Sequence, residues 1–211
     1  MKRQSRSFVL LILLALAAVA DVQAFVVGIS PAPRSLYLRV GDGDFSNRDF
    51  NSNGTPRSGG TLNMVSVTVP AAQLLTGADQ AMSSTSRLTS DYDGFAFCNT
   101  GQTYIGRYFR SDTGSGNATL TALVTTPLTS GAGTIPFSQI RWTASGNASG
   151  GGTEGGVQPI AANNFGDASK NIATFQRNTW NESCHNFFYS NDNIVAAGTY
   201  NGRITYTLTA P

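Results

Sequence analysis

Charged residues are scarce in this sequence, since Asp, Glu, Lys and Arg together make up 12% of its 211 residues. A share of about 25% is usual for a soluble domain. A disordered chain would carry more charge and fewer aromatic residues than the 10% present here. A helical bundle would need far more Glu, Lys and Leu. The composition therefore argues against both classes and favours an all-β domain.

Motifs of common catalytic sites are also missing. The sequence has no GxSxG or HExxH motif, and no glycine loop followed by Lys and Ser or Thr that would bind phosphate. Neither of the two cysteines has a CxxC partner, which argues against zinc. No pattern brings the only glutamates, Glu154 and Glu182, together as the two carboxylates that glycoside hydrolysis needs. We therefore expect a protein that is not an enzyme and has no cofactor.

An apolar run of 13 residues, at 8–20, is shorter than the roughly 20 residues that cross a bilayer. It follows a basic segment and precedes small residues, which is the order of a secretory signal peptide ending at residue 24. We expect its removal to leave one secreted domain, 25–211, with no membrane span. This domain carries as many acidic as basic residues, so its charge does not indicate a nucleic-acid partner.

Alternating runs of β-branched and aromatic residues recur along the chain, separated by clusters of Gly, Asn and Ser. They predict a single antiparallel β-sandwich of about nine strands. The predicted strands are 34–40, 62–69, 95–99, 103–110, 117–124, 137–143, 172–176, 184–190 and 199–209. A hairpin is predicted to join the third and fourth of these. Only residues 70–82 have the composition to start a short helix, with Pro70 in its first turn.

The two cysteines, Cys98 and Cys184, predict one disulfide, because an exported chain with an even pair usually oxidises it. Closing so long a loop would stabilise the fold by roughly 4.6 kcal/mol in the chain-entropy model. The alternative is a reactive Cys98 thiol working with His185, the only histidine. The second cysteine and an oxidising compartment argue against this alternative.

Two long loops, 41–60 and 144–156, are candidates for ligand binding. The first contains Asp42, Asp44 and Asp49, which are weak candidates for calcium ligands. This loop lacks the Gly at position six and the Glu at position twelve of an EF-hand. Solvated turns explain the same aspartates equally well.

The two tryptophans, Trp142 and Trp180, could form a stacking platform for a glycan if their rings were exposed. The alternative, which we favour, is that both pack in or beside the core, because large aromatic side chains dominate core energetics.

The end of the chain reads Ala-Ala-Gly-Thr-Tyr at 196–200, followed by an alternating, threonine-rich strand. It resembles the endings of bacterial fimbrial subunits and of spore-coat-U-like secreted domains. The resemblance implies a pilin-like, immunoglobulin-like sandwich, whose last strand is held by a periplasmic chaperone and then by a neighbouring subunit. The face predicted to contact the core or a partner strand consists of Gly198, Tyr200, Ile204, Tyr206 and Leu208. Cys184 departs from the pilin pattern, in which the cysteines lie early.

The apolar start of the secreted domain is the candidate donor strand of such an assembly, with Phe25, Val26, Val27 and Ile29 as its residues. The alternative is an ordinary first strand of a self-complete sandwich. Segments 93–98 and 178–184 resemble a recurrent group of secreted proteobacterial β-proteins, which implies a location but no activity.

We therefore expect a structural or adhesive envelope protein of a bacterium, located in the periplasm or at the cell surface. Its strands would pair with other subunits, as in a fimbria. The second possibility is a monomeric module that binds a glycan through the long loops and the tryptophans.

Overall fold

A computed structural model describes residues 26–42, 45–46, 55–56, 63–74, 76–131, 133–144, 160–166 and 168–211. These residues form fifteen strands and two short 3₁₀ helices, Ala71–Gln73 and Phe137–Gln139, and they contain no α-helix. The strands are β1 (Val26–Gly28), β2 (Ser35–Val40), β3 (Phe45–Ser46), β4 (Thr55–Pro56), β5 (Val65–Ser66), β6 (Gln80–Ala81), β7 (Ser83–Ser84), β8 (Thr103–Arg110), β9 (Asn117–Ser130), β10 (Gly133–Ile135), β11 (Ile140–Ala144), β12 (Asn163–Asn164), β13 (Lys170–Gln176), β14 (Thr179–Tyr189) and β15 (Asn201–Thr209). The predicted all-β class is confirmed.

The larger sheet has seven strands around β14, in the order β12-β11-β14-β8-β2, with β1 and β6 also paired to β14. All of these pairs are antiparallel. The first half of β14 pairs with β8 on one side and with β1 on the other, and its second half pairs with β11. The strand β1 therefore occupies an edge of this sheet.

The smaller sheet has four strands around β9. One side of β9 pairs with β15 over most of its length, and the other side pairs with β13 and then with β10. Pro127 lies within β9, beside the register shifts of β15 near Arg203. This position agrees with the confinement of proline to bulges and edges in sheets.

The core lies between the two sheets, so the molecule is a β-sandwich whose sheets do not close into a barrel. The larger sheet contributes alternate residues of β8, β11 and β14, and the smaller sheet contributes β9 and β13. The buried side chains that meet there are Ile105, Phe109, Ala118, Leu120, Ala122, Ile140, Trp142, Phe175, Phe187 and Tyr189. We call this side of the larger sheet its inner face.

The opposite, outer face of the larger sheet is also covered. Residues 86–98, here called the cover segment, pack on it, with Phe97 and Cys98 buried against Tyr104 of β8. Cys98 is joined to Cys184 of β14, with 5.5 Å between the two Cα atoms and 86 residues of sequence separation. The predicted disulfide is confirmed, and it fixes the end of the cover segment to the sheet.

The structure corrects several predicted elements. Residues 95–99 form no strand, and the amide groups of Phe97 and Cys98 donate to the carbonyl of Leu88. The disulfide holds these residues over the sheet, so they are not available to form a hairpin with β8. Of the predicted strand 62–69, only Val65–Ser66 pairs with another strand. The predicted helix in 70–82 is reduced to one 3₁₀ turn, Ala71–Gln73.

Within the described part of the chain, no helix has both the length and the apolar character needed to span a membrane.

Candidate functional site

The last strand, β15, presents its predicted face to the core. Tyr200, Ile204, Tyr206 and Leu208 are half-buried against the residues between the sheets. Burial raises the pKa of the Tyr206 phenol, whose ring meets that of Phe165 edge-on. The core therefore fixes this face of β15.

Gly198 of the predicted face and Gly202 of β15 both allow close approach to neighbouring side chains. A Cβ at Gly202 would lie 2.8 Å from the ring of Phe137, and a Cβ at Gly198 would lie 2.5 Å from the Ser130 hydroxyl. Larger residues would push β15 away from its neighbours, so these glycines allow residues 198–202 to pack closely against Ser130 and Phe137.

The outward edge of β15 is open among the described residues, because β9 is its only strand partner there. Its second face is exposed and mostly threonine, with Thr205 and Thr207 beside Thr125 and Thr121 of β9. A strand of nine residues with one free edge offers a row of backbone donors and acceptors to another strand. This edge is the candidate interaction site.

The opposite edge of the smaller sheet is formed by β13 and is flanked by charge. The Lys170 ammonium donates to the side-chain oxygens of Asn163 and Asn164, and the Arg177 guanidinium donates to the carbonyl of Gly114. Lysine on an edge discourages pairing with other chains. Of the two edges, β15 is the one better suited to accept a strand.

The candidate donor segment pairs with a strand of its own chain. Val26 and Val27 form part of β1, pair with Trp180 and Asn181 of β14, and remain 39% and 38% exposed. The amide of Ile29 donates to the carbonyl of Asn178, and its side chain packs beside Trp180. Phe25 lies outside the described residues. The pairing of β1 thus covers only three residues, and its exchange between subunits stays a prediction.

The two tryptophans are buried on opposite faces of the larger sheet. Trp142 is 1% exposed and contacts Phe165 on the inner face, whereas Trp180 is 2% exposed and packs against Tyr37 and Tyr108 on the outer face. Stacking on a sugar needs a free ring face. Both rings therefore pack in or beside the core, which is the alternative that the sequence favoured, because the strand pairing and the cover segment enclose them.

The outer face contains a buried carboxylate, Glu182, whose contacts are made by the cover segment and by β8. The hydroxyls of Ser90 and Tyr104 donate to its Oε1 over 2.7 and 2.5 Å. Burial raises the pKa of Glu182, and the hydrogen bonds from Ser90, Tyr104 and Trp180 oppose this rise. Glu154, the other glutamate, lies outside the described residues.

A second buried carboxylate, Asp91, belongs to the cover segment. The guanidinium groups of Arg39 and Arg87 lie 2.6 and 2.5 Å from its two oxygens, and the Tyr37 hydroxyl donates to it. The amide of Asp91 donates to the Tyr104 hydroxyl, which links the two carboxylates into one network. Through these contacts, both carboxylates hold the cover segment on the sheet.

The inner face holds polar groups of a different kind. Arg107 of β8 and His185 of β14 are fully buried, and none of their side-chain nitrogens has a hydrogen-bond partner among the described residues. Burial lowers the pKa of His185 to about 3, with the Arg107 charge as the second cause. Burial also lowers the pKa of Arg107 to about 9, which leaves its guanidinium charged near neutral pH.

Sequence reasoning did not single out Arg107. The available signal was its position in the run Thr-Tyr-Ile-Gly-Arg-Tyr-Phe-Arg, where it alternates with Ile105 and Phe109 on one face. An arginine in the register of core residues is unusual, because Arg is almost never fully buried unless it is paired.

A metal site finds no support among the described residues, which contain no group of three or more His, Cys, Asp or Glu able to hold an ion. Asp42 follows β2 in a turn. The other weak calcium candidates, Asp44 and Asp49, lie outside the described part.

Comparisons with protein-family models, with curated proteins and with solved structures found no match to this chain.

Proposed function

We propose that this protein is a non-enzymatic structural or adhesive component of a bacterial envelope, secreted to the periplasm or cell surface, which associates with further copies by strand pairing. The observation that carries the proposal is the free edge of β15, a nine-residue strand paired on one side only among the described residues. Edge strands of this length are templates for added strands.

The proposed donor is the apolar segment at residues 25–29 of a neighbouring subunit. In the single chain, this segment is held by the three residue pairs of β1 to β14 and by the contacts of Ile29 with Asn178 and Trp180, so its release disrupts little of the larger sheet. Its exposed valines would gain burial on leaving water for a partner. Adding this segment to β15 of the next copy would produce a head-to-tail chain of subunits.

The buried carboxylates support the non-enzymatic part of the proposal. Both Asp91 and Glu182 use their oxygens to bind the cover segment, and neither is free to act on a substrate in this arrangement.

The test is the assembly state of the purified protein, measured by size exclusion and by negative-stain microscopy of each fraction. We expect filaments or a ladder of oligomers. The double variant Thr205→Lys with Thr207→Lys should abolish them, because it places two charges beside the free edge of β15. Both side chains are exposed, so the melting temperature should change little.

The matched control places the same charges on the opposite edge, with Thr174→Lys and Gln176→Lys on β13, where the side chains are equally exposed. It should leave assembly intact. Deleting residues 25–29 should abolish assembly and preserve the β-sheet signal. A sharp monomer peak for the unaltered protein, or equal effects of both lysine pairs, would contradict the proposal.

A further inference from the structure

The space between the two sheets holds a cation that no described acidic side chain neutralises. Arg107 has no exposed surface, and its Nε, Nη1 and Nη2 atoms all lack a hydrogen-bond partner among the described residues. Its guanidinium carbon lies 4.8 Å from the centre of the Phe175 ring on the facing sheet. The ring attracts the cation, but it does not provide the strong acceptors that five N–H groups require.

Further orphaned groups lie on the same face. His185 stacks on Trp142 with both ring nitrogens unpaired, and the hydroxyl of Thr103 lacks a partner among the residues described. A neutral imidazole offers one N–H donor, and a hydroxyl offers another. We call Arg107, His185 and Thr103 the inner cluster, because they share the inner face of the paired strands β8 and β14 and together offer several donors and one positive charge.

The two buried carboxylates described above do not serve the inner cluster. Asp91 and Glu182 lie with the cover segment on the outer face, separated from Arg107 by the sheet itself, and they are occupied there. A buried charge without a counter-charge is strongly destabilising. A negatively charged group between the sheets would therefore stabilise the folded protein.

We propose that the inner cluster binds one small monovalent anion, of the size of chloride, nitrate or formate, through the N–H groups of Arg107. Full burial of Arg107 and His185 restricts the ligand to a few atoms and excludes bulky organic acids. A planar oxyanion fits the fork of the guanidinium, and chloride satisfies the same donors as a point charge. The inference is independent of strand pairing.

The anion would act as a part of the core. Because the unfolded chain has no such cluster, the ligand binds the folded state alone and raises its stability with concentration until the site is saturated.

The experiment follows thermal unfolding of the purified full chain at constant ionic strength while sodium sulfate is replaced by sodium chloride, nitrate or formate. Sulfate generally strengthens burial, so a nonspecific salt effect would lower the melting temperature in this exchange. We expect a saturable rise of several degrees instead. Arg107→Met should abolish the rise, whereas Arg203→Met, which removes an exposed arginine of β15, should preserve it.

A second measurement does not depend on the folding of Arg107→Met. The chlorine NMR line of the unaltered protein should broaden, and nitrate should reverse the broadening. Arg107→Lys should weaken chloride binding about tenfold, because lysine offers three N–H donors where arginine offers five. A melting temperature that falls on leaving sulfate, or a chlorine line that the unaltered protein does not broaden, would overturn the proposal. An equal loss of stability in Glu154→Gln and Arg107→Met without any anion effect would also overturn it, because it would make the counter-charge part of the chain.

Discussion

The two faces of the larger sheet bury charge in opposite ways. On the outer face, every charged group described above has a partner, and Glu182 and Asp91 each accept several contacts. On the inner face, the side-chain nitrogens of Arg107 and His185 have no hydrogen-bond partner among the described residues. Glu182 and His185 come from the same strand but face opposite ways, because successive residues of β14 point to opposite sides, whereas Asp91 is supplied by the cover segment.

The difference lies in what each face packs against. The outer face meets the cover segment, an irregular stretch that supplies Ser90, Asp91 and backbone groups as partners. The inner face meets another sheet, whose facing side chains are Leu120, Phe175 and similar apolar residues. The cost of a buried polar group is therefore decided by the chemistry of the opposing layer, and burial alone does not predict it.

Removal of the disulfide should lower the free energy of unfolding the most. It frees the cover segment, which supplies the partners of the charged groups on the outer face. We expect Cys98→Ser with Cys184→Ser to reduce the free energy of unfolding by about 2–5 kcal/mol. Urea unfolding measures this loss, and the unaltered protein with a reductant serves as the control. A loss below about 1 kcal/mol would mean that the polar network holds the cover segment unaided.

Loss of the Glu182 carboxylate should cause the second-largest decrease in the free energy of unfolding. Glu182→Ala leaves the hydroxyls of Ser90 and Tyr104 without their acceptor, and each buried unsatisfied donor is costly. We expect a loss of about 2–3 kcal/mol. Glu182→Gln, which keeps a carbonyl oxygen, is the matched control and should lose less. Equal losses in the two variants would show that the charge matters more than the hydrogen bonds.

The inner histidine should be nearly dispensable at neutral pH. His185→Leu removes two unpaired nitrogens at similar volume, so we expect the free energy of unfolding at neutral pH to change by less than about 1 kcal/mol. Denaturant unfolding compares the variant with the unaltered protein. A large loss would indicate a polar partner for His185.

The same substitution should change the response to acid. Burial lowers the pKa of His185 to about 3 in the folded protein, compared with 6.5 for an unperturbed histidine. Between these values the unfolded state binds a proton that the folded state does not, so stability falls as the pH falls through this window. His185→Leu should remove this contribution. The pKa of Glu182 is raised, so ionisation of that group acts in the opposite sense, with stability lost as pH rises.

The smallest change in the free energy of unfolding should come from loss of an exposed ion pair. Asp79 and Arg141 form an ion pair in which both side chains remain more than a third exposed. We expect Asp79→Asn to cost less than about 1 kcal/mol and to matter even less at high salt. Asp91→Asn, which breaks the buried pairs, is the comparison and should cost several times more. Similar costs would contradict the distinction between buried and exposed pairs.

Local patterning was sufficient to predict two of the four longest strands, and it found only the first part of β9 and the second part of β14. The runs at 103–110 and 199–209 alternate strongly, and they correspond to β8 and β15. The disulfide was equally predictable, because an even number of cysteines in a chain that is expected to be exported leaves few alternatives to one bond. The failure at 95–99 has a physical cause, since a distant covalent bond overrides the local tendency of an aromatic run to pair as a hairpin.

The environment of buried polar residues was much harder to predict. The alternation places Arg107 with Ile105 and Phe109, but only the packed sheets show that no described acceptor faces it. Likewise, the burial of Trp180 depends on Tyr37 and Tyr108, which reach it from β2 and β8. Such contacts join residues far apart in the chain, and a pattern read along a short window does not contain them.

The pairing of β1 with β14 has a consequence for the order of folding. Val26 pairs with Asn181, so the larger sheet stays incomplete until nearly the whole chain has been made available. Non-local pairings of this kind slow folding, because the chain loses loop entropy before the contacts form. During that interval β1 has no strand partner, and its apolar residues are exposed. Exposed apolar strands and unpaired sheet edges make such a folding intermediate prone to aggregation until β14 is available.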